Sequence, residues 1–111
     1  LDMMRYSQLL AGASWMGEYG DPKVPMYRRA LLKYSPYQNV GNHKNYPPTL
    51  IVTSTKDDRV HPGHARKMMA KMKEMKQPVM YYENIEGGHA AGANFKQVAR
   101  LTALQQMFLE Q

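Results

Sequence analysis

Cysteine is absent from the 111 residues. Its absence excludes a disulfide framework and a thiolate nucleophile, and it leaves any zinc ion to His and carboxylate ligands. No apolar run approaches the roughly 18 residues that a membrane-spanning helix needs, so no membrane span is expected. The start at Leu1 shows neither a basic leader nor an apolar core, so no signal peptide is visible. It also lacks an initiating Met, which suggests a piece of something longer. Internal repeats and low-complexity tracts are missing too. What remains is ordinary globular composition, 43% hydrophobic and 22% charged, at a length that fits one domain. A collagen, a long disordered tail and a coiled-coil rod are excluded.

Lys and Arg number 15 against 9 Asp and Glu, a formal charge of +6. The excess is uneven. Arg66, Lys67, Lys71, Lys73 and Lys76 crowd one segment, opposed only by Glu74. Ala65, Met68, Met69, Met72 and Met75 recur between them at the three-to-four spacing of one helical face. This predicts an amphipathic helix with Met inward and Lys outward. A nucleic-acid surface would interleave aromatics or Arg clusters with the basic stripe, and neither is present. No nucleic-acid partner is expected.

Residues 1–12 are mildly apolar and fit a short helix or a connecting segment. Gly17, Gly20 and Pro22 around Trp15 and Tyr19 predict a shaped loop over 13–24. Pro25 can open a helix that runs through Met26, Tyr27, Ala30 and Leu31 and stops by Ser35-Pro36. Residues 37–48 are polar, rich in Gly, Asn and Pro, and read as a loop that includes His43. Thr49–Ser54 is β-branched and continuously apolar at its centre, the pattern of a strand buried on both faces of a parallel sheet. A polar turn over 55–62 leads to the Met-lined helix, which Gln77-Pro78 ends. Residues 79–83 predict a second strand and 85–92 a Gly-rich loop. Val98, Leu101, Leu104 and Phe108 mark a closing helix. The order β-α-β-α implies an α/β fold with a parallel pair and a right-handed crossover. Two parallel strands rarely stand alone. The sheet is therefore expected to be incomplete. The chain would then be a fragment of a larger α/β domain or would pair with another copy, giving an oligomer, a swapped arrangement or partial disorder in residues 1–25.

Ligands and catalytic groups gather at the carboxyl ends of parallel strands. Two loops qualify: Lys56-Asp57-Asp58-Arg59-Val60 after the first strand and Gly87-Gly88-His89-Ala90-Ala91-Gly92 after the second. An Asp bonded to a His fixes its tautomer and stabilises the imidazolium formed in acyl transfer. Asp57 and His89 are candidates for that pair, with Asp58 an alternative acid. The bland alternative is a helix-capping Asp-Asp turn and an unrelated loop His. α/β-Hydrolases place nucleophile, acid and His in that chain order. The last two are present, but no G-x-S-x-G precedes them, and Ser7, Ser14, Ser35 and Ser54 lack the strand–turn–helix context of a nucleophile. His61 and His64 stand three apart and could be read as metal ligands. Without a paired acid pattern they are better read as helix-terminus or surface groups, so neither a metal nor a cofactor is expected.

Five stretches carry a family resemblance: Ser14-Trp15-Met16-Gly17-Glu18-Tyr19-Gly20, Tyr34-Ser35-Pro36, Tyr46-Pro47-Pro48-Thr49-Leu50, Asp57-Asp58-Arg59-Val60 and Gly87-Gly88-His89-Ala90-Ala91-Gly92. In order and spacing the chain resembles the C-terminal part of the catalytic domain of prolyl oligopeptidase family serine peptidases. The resemblance implies an α/β-hydrolase fold over residues 1–111, with Asp57 as triad acid and His89 as triad base. It places Arg59 on a substrate backbone carbonyl, Trp15 against a substrate proline and Tyr19 in the same aromatic loop. Trp15 has a structural alternative, a core anchor. The family's serine elbow, oxyanion-hole residues and β-propeller are not matched within the chain, and the residues around Trp15 depart from the strict prolyl-specific pattern. The expectation is a peptidase piece that acts on peptides in the full-length enzyme, is inactive alone, and pairs with an N-terminal part or with its own copy. The rival readings are an esterase, a non-catalytic α/β interaction module and a nucleic-acid binder.

Overall fold

The computed structural model describes residues 1–41, 44–89 and 94–111. Two parallel strands form its sheet, β1 (Thr49–Ser54) and β2 (Val79–Asn84), and α4 (Gly63–Glu74) makes the crossover between them. The register pairs Thr49 with Val79 and Ser54 with Asn84. The backbone bonds Thr49 N to Pro78 O and Thr55 N to Asn84 O, both 2.9 Å, extend the ladder at its two ends. Both strands therefore finish at one edge, and the loops that follow them start side by side.

Alternation along the strands separates two faces. Tyr81 and Glu83 face α4, where Glu83 takes both Nε and Nη2 of Arg66. Leu50, Met80 and Tyr82 share a cleft of about 340 Å³ with Leu104, Met107 and Phe108 of the closing helix, α5 (Phe95–Leu109). The central residues of β1 are half-buried, not enclosed as their apolar run predicts. The physical reason is the sheet itself: among the described residues each strand has one neighbour, and α5 stands off one face. The incomplete parallel sheet expected from the sequence is what the structure shows.

The crossover helix follows the Met periodicity. Met72 is fully inward, Met68, Met69 and Met75 are half-buried, and Arg66, Lys73 and Lys76 reach solvent. The helix ends at Glu74, where Lys76 turns into the left-handed region at φ 55°. Lys76 N then bonds Lys73 O and Gln77 N bonds Met72 O, the paired C-terminal bonds that close a helix before a proline. α5 opens on Asn94, whose side chain accepts the amide of Gln97 at 3.0 Å.

The first part of the chain is more helical than its glycines suggest. Turns of 3₁₀ helix cover Tyr6–Gln8 and Leu10–Trp15, beginning in the segment read as a short helix or a connection, and α1 spans Met16–Tyr19, inside the segment read as a loop. Gly12 fits this winding because a side chain there would collide with the Tyr6 carbonyl. Gly20, at φ 89°, ends it where a side chain would meet the Tyr27 ring. α2 (Pro25–Tyr34) runs as expected, and the chain re-enters a helical turn, α3 (Pro36–Asn39), inside the segment read as loop. His43, Ala90, Ala91 and Gly92 lie outside the described residues.

Candidate active site

The loop after β1 is folded by its own acid. Asp57 Oδ1 accepts the amides of Arg59 at 3.0 Å and Val60 at 2.9 Å, a side-chain turn that competes with no regular structure there. This leaves Oδ2, which lies 2.8 Å from Nδ1 of His89, on the loop after β2. The Asp57 side chain is 9% exposed and that of His89 is 47% exposed. Burial disfavours the Asp57 charge, but the Val60 amide, His89 and the Arg59 amide outweigh it and hold the carboxyl below the usual carboxylate range. An ionised carboxylate only accepts, so the contact assigns the proton to Nδ1. Nε2 has no hydrogen-bond partner among the described residues. An imidazole in that tautomer, with a basic nitrogen turned away from its carboxylate, is equipped to take a proton from a hydroxyl.

Asp58, exposed on the same turn, does not reach His89. Arg59 contributes its amide to Asp57, while its exposed side chain lines neither of the pockets described next. A pocket of about 350 Å³ holds Asp57 and His89 together with Ser54, Ile51 and Thr53. A second, about 360 Å³, is walled by Trp15, Tyr19, Tyr34 and Tyr6. Tyr6 and Tyr19 meet edge to face at 5.9 Å, and the Tyr6 hydroxyl donates to Gly20 O at 2.7 Å. Trp15 is half-buried, with part of its indole open to this pocket. Leu1, Val60 and His64 line both pockets and form their common wall.

That wall was not singled out in the sequence. His64 does stand in the first turn of α4, but it is buried and not a surface group. Its position four residues before Met68 and eight before Met72 puts it on the inner Met face, a signal that the three-residue spacing to His61 obscured. Its Nδ1 accepts the amide of Asp2 at 3.0 Å, and His61 Nδ1 accepts the amide of Gly63 at 2.8 Å. Each ring has thus committed one nitrogen to folding. Among the described residues no group of three or more His, Cys, Asp or Glu side chains could hold a metal.

The chain matches the prolyl oligopeptidase family along residues 1–111. It is 50% identical over 111 residues to a protein of Sinorhizobium fredii described as the uncharacterized peptidase y4nA, covering 100% of this chain and 15% of that one. It is 39% identical over 102 residues to a prolyl endopeptidase of Elizabethkingia miricola, covering 88% of this chain and 14% of that one. The solved structure of a post-proline cleaving enzyme from Rickettsia typhi aligns with a TM-score of 0.90 at 35% identity, covering 97% of this chain and 16% of the other. The chain thus spans 14–15% of the length of these two curated relatives.

Proposed function

This chain belongs to the prolyl oligopeptidase family, and from that premise we propose that it is the C-terminal part of an α/β-hydrolase catalytic domain, supplying the acid and the base of a Ser-Asp-His triad that hydrolyses peptide bonds. One observation carries the reading: Asp57 Oδ2 stands 2.8 Å from His89 Nδ1, on loops that leave adjacent parallel strands at the same edge.

The serine comes from a segment outside these residues. Its Oγ attacks the carbonyl carbon of the scissile peptide while His89 Nε2 takes the hydroxyl proton. The tetrahedral intermediate collapses, the C–N bond breaks, and His89 returns that proton to the leaving amine. Water repeats the sequence on the acyl-enzyme: His89 takes its proton as the oxygen adds to the ester carbonyl, the C–Oγ bond breaks, and His89 returns the proton to the departing serine oxygen. Asp57 holds the ring in the required tautomer and stabilises the transient imidazolium.

Trp15 and Tyr19 receive a substrate side chain in the aromatic pocket. A flat indole suits a proline ring, and the relatives named prolyl endopeptidase and post-proline cleaving enzyme support that choice. Arg59, a rigid fork of donors exposed on the turn that Asp57 folds, binds a substrate carbonyl. The open strand edges and the exposed apolar side chains of α5, with Phe95 at 95% exposure, support pairing with the serine-bearing part.

A serine-directed fluorophosphonate tests the reading. It leaves the isolated chain unlabelled and labels the longer protein that carries the chain. His89→Ala abolishes that labelling and the peptide turnover. A longer protein that turns over peptides equally well with His89→Ala overturns the assignment.

A further inference from the structure

We propose that Asn84 is a positioning residue that fixes the loop of His89 against the loop of Asp57, an inference that rests on the hydrolase reading above. Asn84 is the last residue of β2 and faces Ser54 in the register. Its carbonyl accepts the amide of Thr55 at 2.9 Å, two residues before the acid. Its side-chain Oδ1 accepts the amide of Glu86 at 3.0 Å and that of Gly87 at 3.4 Å, which turns the chain immediately beyond the strand. Asn84 and Gly87 are buried, and His89 follows two residues later. One residue therefore grips the root of the acid loop through its main chain and shapes the base loop through its side chain.

The residue type suits the task. A short side chain ending in a carbonyl reaches the amides two and three positions ahead, and an aliphatic residue of similar size offers them nothing. Asp57 does the same for its own loop through Oδ1. Glu83 adds a second hold on the acid side, accepting the Thr55 hydroxyl at 2.7 Å. The 2.8 Å contact between Asp57 and His89 is thus made by two loops whose roots meet at Asn84. Displacing a catalytic group by about 1 Å can cost about 100-fold in turnover.

The test compares Asn84→Leu with Asn84→Asp in the longer protein that carries this chain, each checked for folding by circular dichroism. Asn84→Asp retains an acceptor for the two amides, and Asn84→Leu does not. Asn84→Leu is expected to lower kcat by about 100-fold with KM within about threefold of the parent, because the reacting groups shift while the aromatic pocket stays. Asn84→Asp is expected to keep kcat within about fivefold, on the same argument. If Asn84→Leu fails to fold, Asn84→Ala is read against the same limits. An unchanged kcat in the variant without an acceptor, an equal loss in both variants, or a loss confined to KM overturns the role. A parent protein without hydrolase activity overturns the hydrolase reading, and the role of Asn84 falls with it. An active parent indifferent to Asn84→Leu overturns the role alone.

Discussion

The imidazole of His64 accepts the backbone amide of Asp2 at 3.0 Å, joining positions 62 residues apart. One turn along α4, Lys67 Nζ donates to Oδ2 of the same aspartate at 2.6 Å, and Gln38 Nε2 donates to Oδ1 at 2.8 Å. The first residues of the chain are therefore pinned to the crossover helix by main chain and side chain together. Burial disfavours the Asp2 charge, but Lys67, Gln38 and the Met4 amide more than offset it and hold the carboxyl below its ordinary range. The pin also explains how two distant stretches build one wall. The segment that leads to Trp15 is seated on the helix that begins just after the Asp57 loop.

His64 makes this seat sensitive to acid. Burial is the main reason its folded-state pKa is pushed down to about 4 from 6.5. Above pH 6.5 the ring is neutral in both states and the full stability is present. As pH falls from 6.5 towards 4 the unfolded chain takes up a proton that the folded one refuses, so stability declines. Thermal melts of the folded protein between pH 7 and about 4.5, a window above the ordinary carboxylate range, should show a falling Tm. His64→Asn retains an acceptor without titrating and should flatten that slope. Parallel slopes for the two proteins would remove His64 as the cause.

How much of this was legible in the sequence depends on what kind of signal each residue gives. The strand at 49–54 and the Met-faced helix showed themselves because their periodicities are local. The half-buried centre of β1 did not, because burial depends on neighbouring strands rather than on the apolar run itself. A short helix was one reading of residues 1–12, but the helical turns over 13–19 were hidden because Gly17, Gly20 and Pro22 read as loop signals. Asp57 and His89 could be paired through the parallel-strand rule. The choice between Asp57 and Asp58 could not be made from side-chain chemistry, since both are carboxylates. What the turn geometry adds is the contact: the amides of Arg59 and Val60 converge on Asp57 Oδ1 and leave Oδ2 to the ring of His89.

That choice yields a sharp contrast in turnover. Asp57→Asn in the longer protein should reduce kcat on the order of 10⁴, because an amide at Oδ2 favours the wrong imidazole tautomer. It should also loosen the 57–60 turn less than Asp57→Ala, since Asn retains an acceptor for the two amides. Asp58→Asn, on an exposed side chain away from His89, should leave kcat within about twofold. Steady-state kinetics on one peptide substrate checks both. Equal losses at the two positions would mean that the contact with His89 does not govern the reaction.

On the proposed reading, Trp15 separates recognition from catalysis. It lines the aromatic pocket while Asp57 and His89 line the other, and Leu1, Val60 and His64 divide the two. Removing the indole should therefore weaken the binding of a flat substrate ring without disturbing proton transfer. Trp15→Ala is expected to lower kcat/KM for a peptide cleaved after proline by about 10–200-fold, the range for lost apolar contact in a specificity pocket. The same substitution should change kcat/KM little for a small ester that places nothing in that pocket. A core anchor behaves differently: its loss lowers Tm and reduces activity on both substrates in proportion to the unfolded fraction. Paired kinetics on the peptide and the ester, with a melt of each protein, decides between the two, because only a substrate-facing indole changes the ratio of the two rates while the fold stays intact.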